Sequence, residues 1–361
     1  MLRIFPRSKP FMAACALSLL MALGQAIGGG SPAAADTPVR ANESSFIATV
    51  TAFRTSANDS TKFVTAIVRF QNKTKKPLIL GYVRDSATAT DDQGNKYSPY
   101  GENTMRGIGI ITPSDLDPKF VLQPGEAADA RFDVGWRRPG QNVVYGTSYT
   151  FDLTVRELAH LNATQYRQGT EHVLQFLNLK DKAPTASDSA YTGPGAPSAP
   201  IGGDGNSKPN FYSAGPFTAE VTHLEATNPA RARNQVITVT VNFTNVSDKP
   251  IILGYTARTS DIIDNLGNHY AWGTAGSSDR SASGIGTVAS TSAGADFALA
   301  PGESRNAKLT LFRRLGGGSE IGTSFDYGLA VEMLEILPSG QVHSKRQYNL
   351  NFTNLSSATG R

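Results

Sequence analysis

The sequence has 361 residues, of which 39% are hydrophobic and 18% are charged, and its 34 Lys and Arg residues nearly balance 30 Asp and Glu residues. Three of the basic residues, Arg3, Arg7 and Lys9, precede an apolar N-terminal stretch, so the chain beyond that stretch is close to neutral. A near-neutral chain offers no electrostatic basis for binding nucleic acid or an anionic membrane surface, and we exclude both as predicted partners.

The first 35 residues have the layout of a cleavable export signal. Basic residues come first, an apolar stretch over residues 11–27 follows, and small residues precede Asp36. Glycines interrupt the apolar stretch, which is shorter than the roughly 20 apolar residues that span a bilayer. We therefore predict a signal peptide over residues 1–35, a periplasmic or secreted protein, and no membrane span after cleavage.

The single cysteine, Cys15, lies inside this apolar stretch. Few apolar residues precede the thiol and a normal apolar segment continues beyond it, so we do not expect lipid attachment there. The exported chain is then predicted to contain no cysteine. Its stability must come from buried apolar surface rather than from disulfides.

Beyond the signal, the sequence indicates short β-strands separated by turns. Apolar and polar side chains alternate over residues 63–70, with Val68 on the apolar face. This period of two indicates an antiparallel strand with one face in a core. Turns are marked by Asn72-x-Thr-x-x-Pro, Asp91-x-x-Gly-Asn and Pro124-Gly-Glu, because these residue types favour turn conformations. Further strands are predicted at residues 46–53, 78–83, 127–134, 149–155 and 173–179, and residues 156–163 are interpreted as a strand end and hairpin rather than a helix.

The same order of strands and turns recurs in the second half of the chain. Residues 70–82 reappear as residues 243–255, Val241 repeats Val68 on the apolar face, and Thr240 faces the other way. So many matches in one order indicate a duplicated domain. The predicted boundaries are residues 36–180 for module 1, residues 181–214 for a linker rich in Pro, Gly and Ser, and residues 215–356 for module 2. The linker composition predicts modules that reorient freely.

These patterns predict an all-β protein made of two tandem immunoglobulin-like antiparallel β-sandwiches. The succession Asn-x-Ser/Thr-x-x-Pro, Asp-x-x-Gly-Asn-x-Tyr and Phe-x-Leu-x-Pro-Gly-Glu resembles the immunoglobulin-like domains of secreted bacterial proteins of largely uncharacterised function. It is more loosely similar to the small β-sandwich proteinase-inhibitor domains of bacteria. The resemblance implies the fold, and it carries no functional residue to this chain.

The residue types that serve catalysis or metal binding do not cluster in the sequence. The five histidines are scattered and none recurs at equivalent positions, so we interpret them as surface residues. Asp91 and Asp92, and Asp261 with Asp264, are interpreted as turn residues, because dense alternating oxygen ligands for calcium are lacking. No serine is paired with an evident base. We therefore predict a non-enzymatic protein with no metal site and no cofactor.

Two repeated short motifs are assigned to backbone structure. Gly107-Ile-Gly109 and its copy at residues 284–286 lack the third glycine and the helix of a nucleotide loop, and they are interpreted as a bend or bulge. The sequons at Asn72 and Asn245 are assigned to turns rather than to glycosylation.

Candidate binding residues lie in loops, where binding residues concentrate on rigid scaffolds. Two arginine pairs follow matched strands and precede Pro- or Gly-rich segments, and an arginine pair can hold an anionic group. Two aromatic residues lie in loops that differ in length between the copies. The predicted binding residues are Arg137, Arg138, Arg313, Arg314, Tyr100 and Trp272.

Together these observations favour a non-enzymatic exported protein, binding or structural, that acts through the loops of its two modules. Its predicted partner is a protein or a glycan in the cell envelope or outside the cell. Two alternatives remain open at this point. One is an inhibitor of a hydrolase that acts through one protruding loop, and the other is a pair of carbohydrate-binding modules that use Tyr100 and Trp272.

Overall fold

Both halves of the chain fold into largely antiparallel β-structure in a computed structural model, with one parallel pair among the described strands of each half. It describes residues 39–57, 61–100, 104–137, 144–162, 165–181, 208–227, 234–271, 282–289, 292–314 and 320–357. These residues form strands and connecting turns but no helix, so none of them belongs to a helix that could cross a membrane. The predicted signal peptide and residues 182–207 of the predicted linker lie outside the described residues.

Module 1 contains twelve described strands joined in one hydrogen-bonded network. They are β1 (Arg40–Asn42), β2 (Phe46–Ala57), β3 (Thr61–Asn72), β4 (Leu78–Val83), β5 (Thr88–Asp91), β6 (Lys96–Pro99), β7 (Met105–Arg106), β8 (Gly109–Ile111), β9 (Val121–Leu122), β10 (Ala127–Arg137), β11 (Tyr149–His160) and β12 (Tyr166–Leu179).

Module 2 repeats this arrangement with thirteen described strands. They are β13 (Phe211–Ser213), β14 (Phe217–Thr227), β15 (Asn234–Asn245), β16 (Ile251–Thr256), β17 (Asp261–Asp264), β18 (His269–Ala271), β19 (Ala282–Ser283), β20 (Gly286–Ala289), β21 (Ser292–Ala293), β22 (Ala298–Leu299), β23 (Ser304–Arg314), β24 (Ser324–Ile336) and β25 (Val342–Ser356).

Each module is a sandwich of two layers. In module 1 the first layer has the order β1-β2-β3-β10, and the second contains β12, β11, β4 and β5. Strand β6 pairs with β5 and with β10, so it connects the layers at one edge. In module 2, β14-β15-β23 and β25-β24 form the corresponding layers, and β18 makes the same connection. The predicted tandem all-β architecture is confirmed.

Alternating burial along the strands explains the two cores. Side chains of β15 alternate between buried and half-buried at every residue from Asn234 to Asn245. Val68 and Val241 are both 0% exposed, whereas Thr240 is half-buried on the opposite side of its strand. The predicted strand register is therefore confirmed, and each module has its own apolar core.

The aspartates of the Asp-x-x-Gly-Asn turns are buried hydrogen-bond acceptors. Asp91 accepts hydrogen bonds from the amides of Asn95 at 2.9 Å and Gly146 at 3.0 Å and from the Tyr97 hydroxyl at 3.1 Å. Burial raises the pKa of the Asp91 carboxyl, but these hydrogen bonds outweigh that effect and lower it. Asp264 is held by the equivalent set in module 2. The turn interpretation is confirmed for both residues.

The sequon asparagines are also structural. The Asn72 side-chain amide donates to the carbonyl oxygens of Lys76 at 2.8 Å and Leu122 at 2.9 Å, and its oxygen accepts from the Thr74 amide. Asn245 makes the same set of contacts in module 2. Both side chains are buried, which confirms that these residues organise turns.

Replacing Gly107 with Ala is expected to destabilise the protein by roughly 3 kcal/mol, because strain and overpacking add. Gly107 has φ of 82°, and a Cβ atom would lie 2.6 Å from the Asp129 carbonyl oxygen. Gly94 has the same φ but open space around the Cβ position, so Gly94→Ala is the matched control and should cost only about 1 kcal/mol. Urea denaturation measures both. Equal losses would contradict the proposed close approach at the Gly107 bend.

The two modules pack against each other, and the described residues of both belong to one compact unit. Strands β10 and β7 of module 1 lie against β25 of module 2. The expectation of freely reorienting modules is therefore wrong. The sequence did not reveal this packing because the packed faces are largely polar. In a sequence, a polar strand face that packs against another module looks the same as one that meets water.

Candidate functional site

The described residues include three of the predicted binding side chains. Tyr100 is 47% exposed, and Arg137 is exposed at the end of β10. Arg313 is half-buried, and its guanidinium donates to Gln235 Oε1 at 3.3 Å. Arg138, Trp272 and the side chain of Arg314 lie outside the described residues. The binding role of all six remains a prediction.

Strand register changes the equivalence of the arginine pairs. Arg137 lies opposite Thr61, the first residue of β3, and Arg314 lies opposite Asn234, the first residue of β15. Because β3 and β15 are matching strands, Arg314 rather than Arg313 is the counterpart of Arg137. The predicted match of the two arginine pairs is wrong by one residue. Aligning β10 with β23 without a gap, starting from the Pro-Gly-Glu turns, would have shown this.

Trp136 of module 1 is the counterpart of Arg313, and each of these residues packs against the matching tyrosine of its own module. In module 1 the Trp136 ring lies 6.0 Å from that of Tyr97. In module 2 the Arg313 guanidinium lies 5.9 Å from the centre of the Tyr270 ring. Arg313 therefore has a packing role at the end of its sandwich, which a cation–π contact supports.

Tyr100 lies at the edge of the junction between the modules. Its ring meets that of Phe63 edge-on at 5.8 Å, and the Phe63 ring lies 5.7 Å from His269 of module 2. Gly135 makes room for this arrangement, since a Cβ atom there would lie 2.8 Å from the Tyr100 side chain. Tyr100 is thus packed by residues of module 1, and Phe63 connects this packing to module 2.

A buried cluster of charges forms the centre of the junction. Asp261 of module 2 accepts a hydrogen bond of 2.6 Å from Arg106 and two from Arg131, one of them at 2.7 Å. All three side chains are buried. Asp133 contacts both arginines, with Nη2 of Arg106 at 3.3 Å, and His269 Nε2 lies 3.5 Å from Asp261. The cluster joins two modules through a two-arginine clamp on one carboxylate.

The cluster keeps Asp261 ionised. Burial opposes the charged form, but Arg106, Arg131 and His269 together hold the pKa of the Asp261 carboxyl well below its usual range. Burial likewise opposes the charge on Arg131, and Asp133 and Asp261 outweigh it and raise its pKa. Asp261 is therefore a junction residue in a strand, and its interpretation as a turn residue is wrong. Its counterpart in module 1 is Thr88, and this unmatched charge was the available sequence signal.

Other polar contacts extend the junction on both sides of the cluster. They are Arg54 with Asp326 at 2.5 Å, the Gly107 amide with Gln347 Oε1 at 2.7 Å, and Arg346 with Glu126 at 2.5 Å. Burial raises the pKa of the Asp326 carboxyl despite its arginine partner. A cavity of about 30 Å³ beside Ile67 is large enough for about one water molecule and too small for an organic ligand.

Acidification to about pH 4 is expected to leave the junction intact. A carboxyl whose pKa is lower in the folded state stabilises it above the unfolded pKa, and this stabilisation is lost as the pH falls through the folded pKa. Because the folded pKa of Asp261 is well below the usual range, its contribution should persist where ordinary carboxyls take up protons. Small-angle X-ray scattering should give a constant radius of gyration down to that pH. Expansion between pH 7 and about pH 5 would contradict this assignment.

His172 does not lie on the surface, so its assignment as a surface residue is wrong. It is 5% exposed, with Nδ1 2.9 Å from Glu43 and Nε2 3.1 Å from Glu157. Its ring also meets the Phe46 ring edge-on at 4.9 Å. Glu43 lies 129 residues away in the sequence and Glu157 lies on the neighbouring strand β11, so only the folded chain brings both carboxylates to the ring. In the described ranges, no group of three His, Cys, Asp or Glu side chains is arranged to hold a metal ion.

No protein-family model and no curated protein matches the chain. Among solved structures, the YadV chaperone is similar at 12% identity over 79% of this chain and 92% of that chain, with a TM-score of 0.16. Red sea bream transglutaminase is similar at 10% identity over 83% of this chain and 30% of that chain, with a TM-score of 0.15. At such TM-scores these similarities carry no argument about fold or function.

Proposed function

We propose that this chain is an exported, non-enzymatic protein whose two immunoglobulin-like modules act as one unit and bind a protein or glycan. The observation that carries the proposal is the buried clamp of Arg106 and Arg131 on Asp261. Buried ion pairs tolerate little change of geometry, because a displaced partner leaves an uncompensated charge. The clamp therefore supports a fixed spacing between loops of the two modules, which a composite binding surface requires.

The use of the buried charges supports a non-enzymatic role. Catalytic groups with strongly shifted pKa values are normally aimed into a cleft. Here the shifted groups Asp261 and Arg131 are paired with each other, and buried His172 contacts two carboxylates. These groups are accounted for by the stability of the fold and the junction.

The exposed residues Tyr100 and Arg137 form the best-supported contact region. A half-exposed tyrosine packed on one side against Phe63 offers contact area at low entropic cost. An exposed arginine near the end of β10 adds a cationic group that can bind an anionic group of the partner. Tyr100 also favours a glycan as the second candidate partner, since a ring that is fixed at one edge can stack on a sugar face.

The test has two stages. The full chain is first expressed in a bacterial host, and N-terminal sequencing of the envelope and medium fractions should find a chain that starts near Asp36. Retention of Met1 on a cytoplasmic protein would contradict export. Unchanged export with failed binding in the second stage would overturn the binding role alone.

In the second stage, the exported protein is screened against a glycan array and against envelope proteins by chemical crosslinking. Tyr100→Ala with Arg137→Ala should weaken the interaction about tenfold or more, as expected for central contact residues. Lys75→Ala is the matched control, because Lys75 is exposed in a turn of the same module. Equal binding by the control and the loop variant would show that the contact lies elsewhere.

A further inference from the structure

Because the two modules are copies, each junction face has an uncovered counterpart. In module 2, the outward-facing residues of the β17–β24–β25 layer are buried beneath module 1. Their buried or half-buried members are Asp261, Ile263, Asp326, Gly328, Ala330, Glu332, Gln347, Asn349 and Asn351. The counterparts on module 1, taken from the strand registers, are Thr88, Thr90, Thr150, Asp152, Thr154, Arg156, Glu171, Val173 and Gln175, and all of these are half-buried or exposed.

The opposite half of the junction shows the same asymmetry. Ile67 and Arg131 of module 1 are buried against module 2. Their counterparts on module 2 are Thr240, which is half-buried, and Lys308, which is exposed. Each chain thus has one junction between its modules and two uncovered faces built from matching strands.

We propose that these unused faces bind one another between two copies of this chain, head to tail. The β14–β15–β23 layer of one copy covers the β5–β11–β12 layer of the next copy, as module 1 covers module 2 within the chain. A contact between different faces of identical subunits does not close by two-fold symmetry, so it generates chains of subunits or rings.

Charge complementarity supports a second copy as the occupant. In the internal junction, Arg131 crosses directly over Gly328, where a Cβ atom would lie 2.7 Å from its Nη1. The counterpart of Arg131 is Lys308, and the counterpart of Gly328 is Asp152. A lysine of one copy would therefore meet an aspartate of the next at the position of the internal clamp.

A backbone hydrogen bond of the internal junction can also be repeated. The Gly107 amide donates to Gln347 Oε1 within the chain. Gly284 is the exposed counterpart of Gly107, and Glu171 is the exposed counterpart of Gln347. Glu171 supplies a carboxylate where module 2 has an amide oxygen, and a hydrogen bond to an ionised acceptor is the stronger of the two.

Exposed apolar side chains on β12 would be covered by the contact. Val173 is 71% exposed and Leu177 is 50% exposed, and both face outward. The counterpart of Val173 on module 2, Asn349, is buried against Gly107 of module 1. Apolar side chains exposed together on one sheet face are typical of an interaction surface.

Sedimentation velocity of the exported chain over a range of concentrations tests the proposal. The wild-type chain should form oligomers whose mass rises with concentration. Asp152→Lys and Lys308→Asp should each weaken association about tenfold or more, because each places like charges opposite one another. Lys75→Asp and Asp248→Lys are matched controls in exposed turns and should leave association unchanged.

An equimolar mixture of the Asp152→Lys and Lys308→Asp chains should recover association, because each contact between different chains again pairs opposite charges. Circular dichroism confirms that both variants are folded. A single species of monomer mass at every concentration would overturn the proposal. So would oligomers that neither substitution weakens, or a mixture that associates no better than its components.

Discussion

Replacing Asp261 with Asn should separate the two modules. The substitution keeps the shape of the side chain but removes the negative charge shared by Arg106 and Arg131, which would then be buried together. Removing one partner of a buried ion cluster costs about 3–5 kcal/mol. This is a large fraction of the stability of an ordinary domain, so we expect the junction to open before either sandwich unfolds.

Small-angle X-ray scattering measures the separation as an increase in the radius of gyration. Asp248→Asn is the control, because Asp248 is exposed in a turn of the same module. A second variant tests the cause. Replacing Arg106 and Arg131 with Met, together with Asp133→Asn and Asp261→Leu, removes the charges of both arginines and of the two carboxylates that they contact. Apolar replacement of a buried ion cluster is often neutral. This variant should stay compact. An expanded form would contradict the explanation that Asp261→Asn opens the junction by leaving buried charges unbalanced.

Replacing Val68 or Val241 with Asp should unfold the module that contains the substitution. Both side chains are 0% exposed in matching cores, and an unpaired carboxylate in such a place costs several kcal/mol or must take up a proton. Differential scanning calorimetry should show the loss of one transition in each case. Because the modules share the polar junction, the remaining module should also melt at a lower temperature than in the wild-type chain.

The opposite faces of the same two strands give the matched comparison. Ile67 is 5% exposed at the junction, whereas its counterpart Thr240 is half-buried and faces away from the core. Ile67→Asp should open the junction and leave the melting of module 2 detectable. Thr240→Asp should change the melting temperature little. Equal effects at these two positions would contradict the assignment of the module 1 face to the junction.

Ile67 and Thr240 illustrate how the duplicated modules differ at the junction. Both positions face away from a core, so either residue is compatible with the sandwich itself. The arginines, aspartates and amides that line the junction differ from their counterparts in the same way, as with Asp261 in place of Thr88. Several of the residues that differ between the copies therefore lie at the contact between the modules.

The sequence by itself determined the two sandwiches and the strand register. Alternation with period two identifies which side of a strand is buried, and turns are organised by contacts between near neighbours such as Asn72 with Lys76 and Asp91 with Asn95. These are local effects, and local effects can be read along the chain.

Tertiary structure alone decided how the modules meet. Asp261 gains its partners from Arg106 and Arg131, which lie more than a hundred residues away, and His172 gains Glu43 and Glu157. A polar residue on a strand face looks the same in sequence whether it faces water or a partner charge. The difference is made by desolvation and pairing, which exist only after the faces have been brought together.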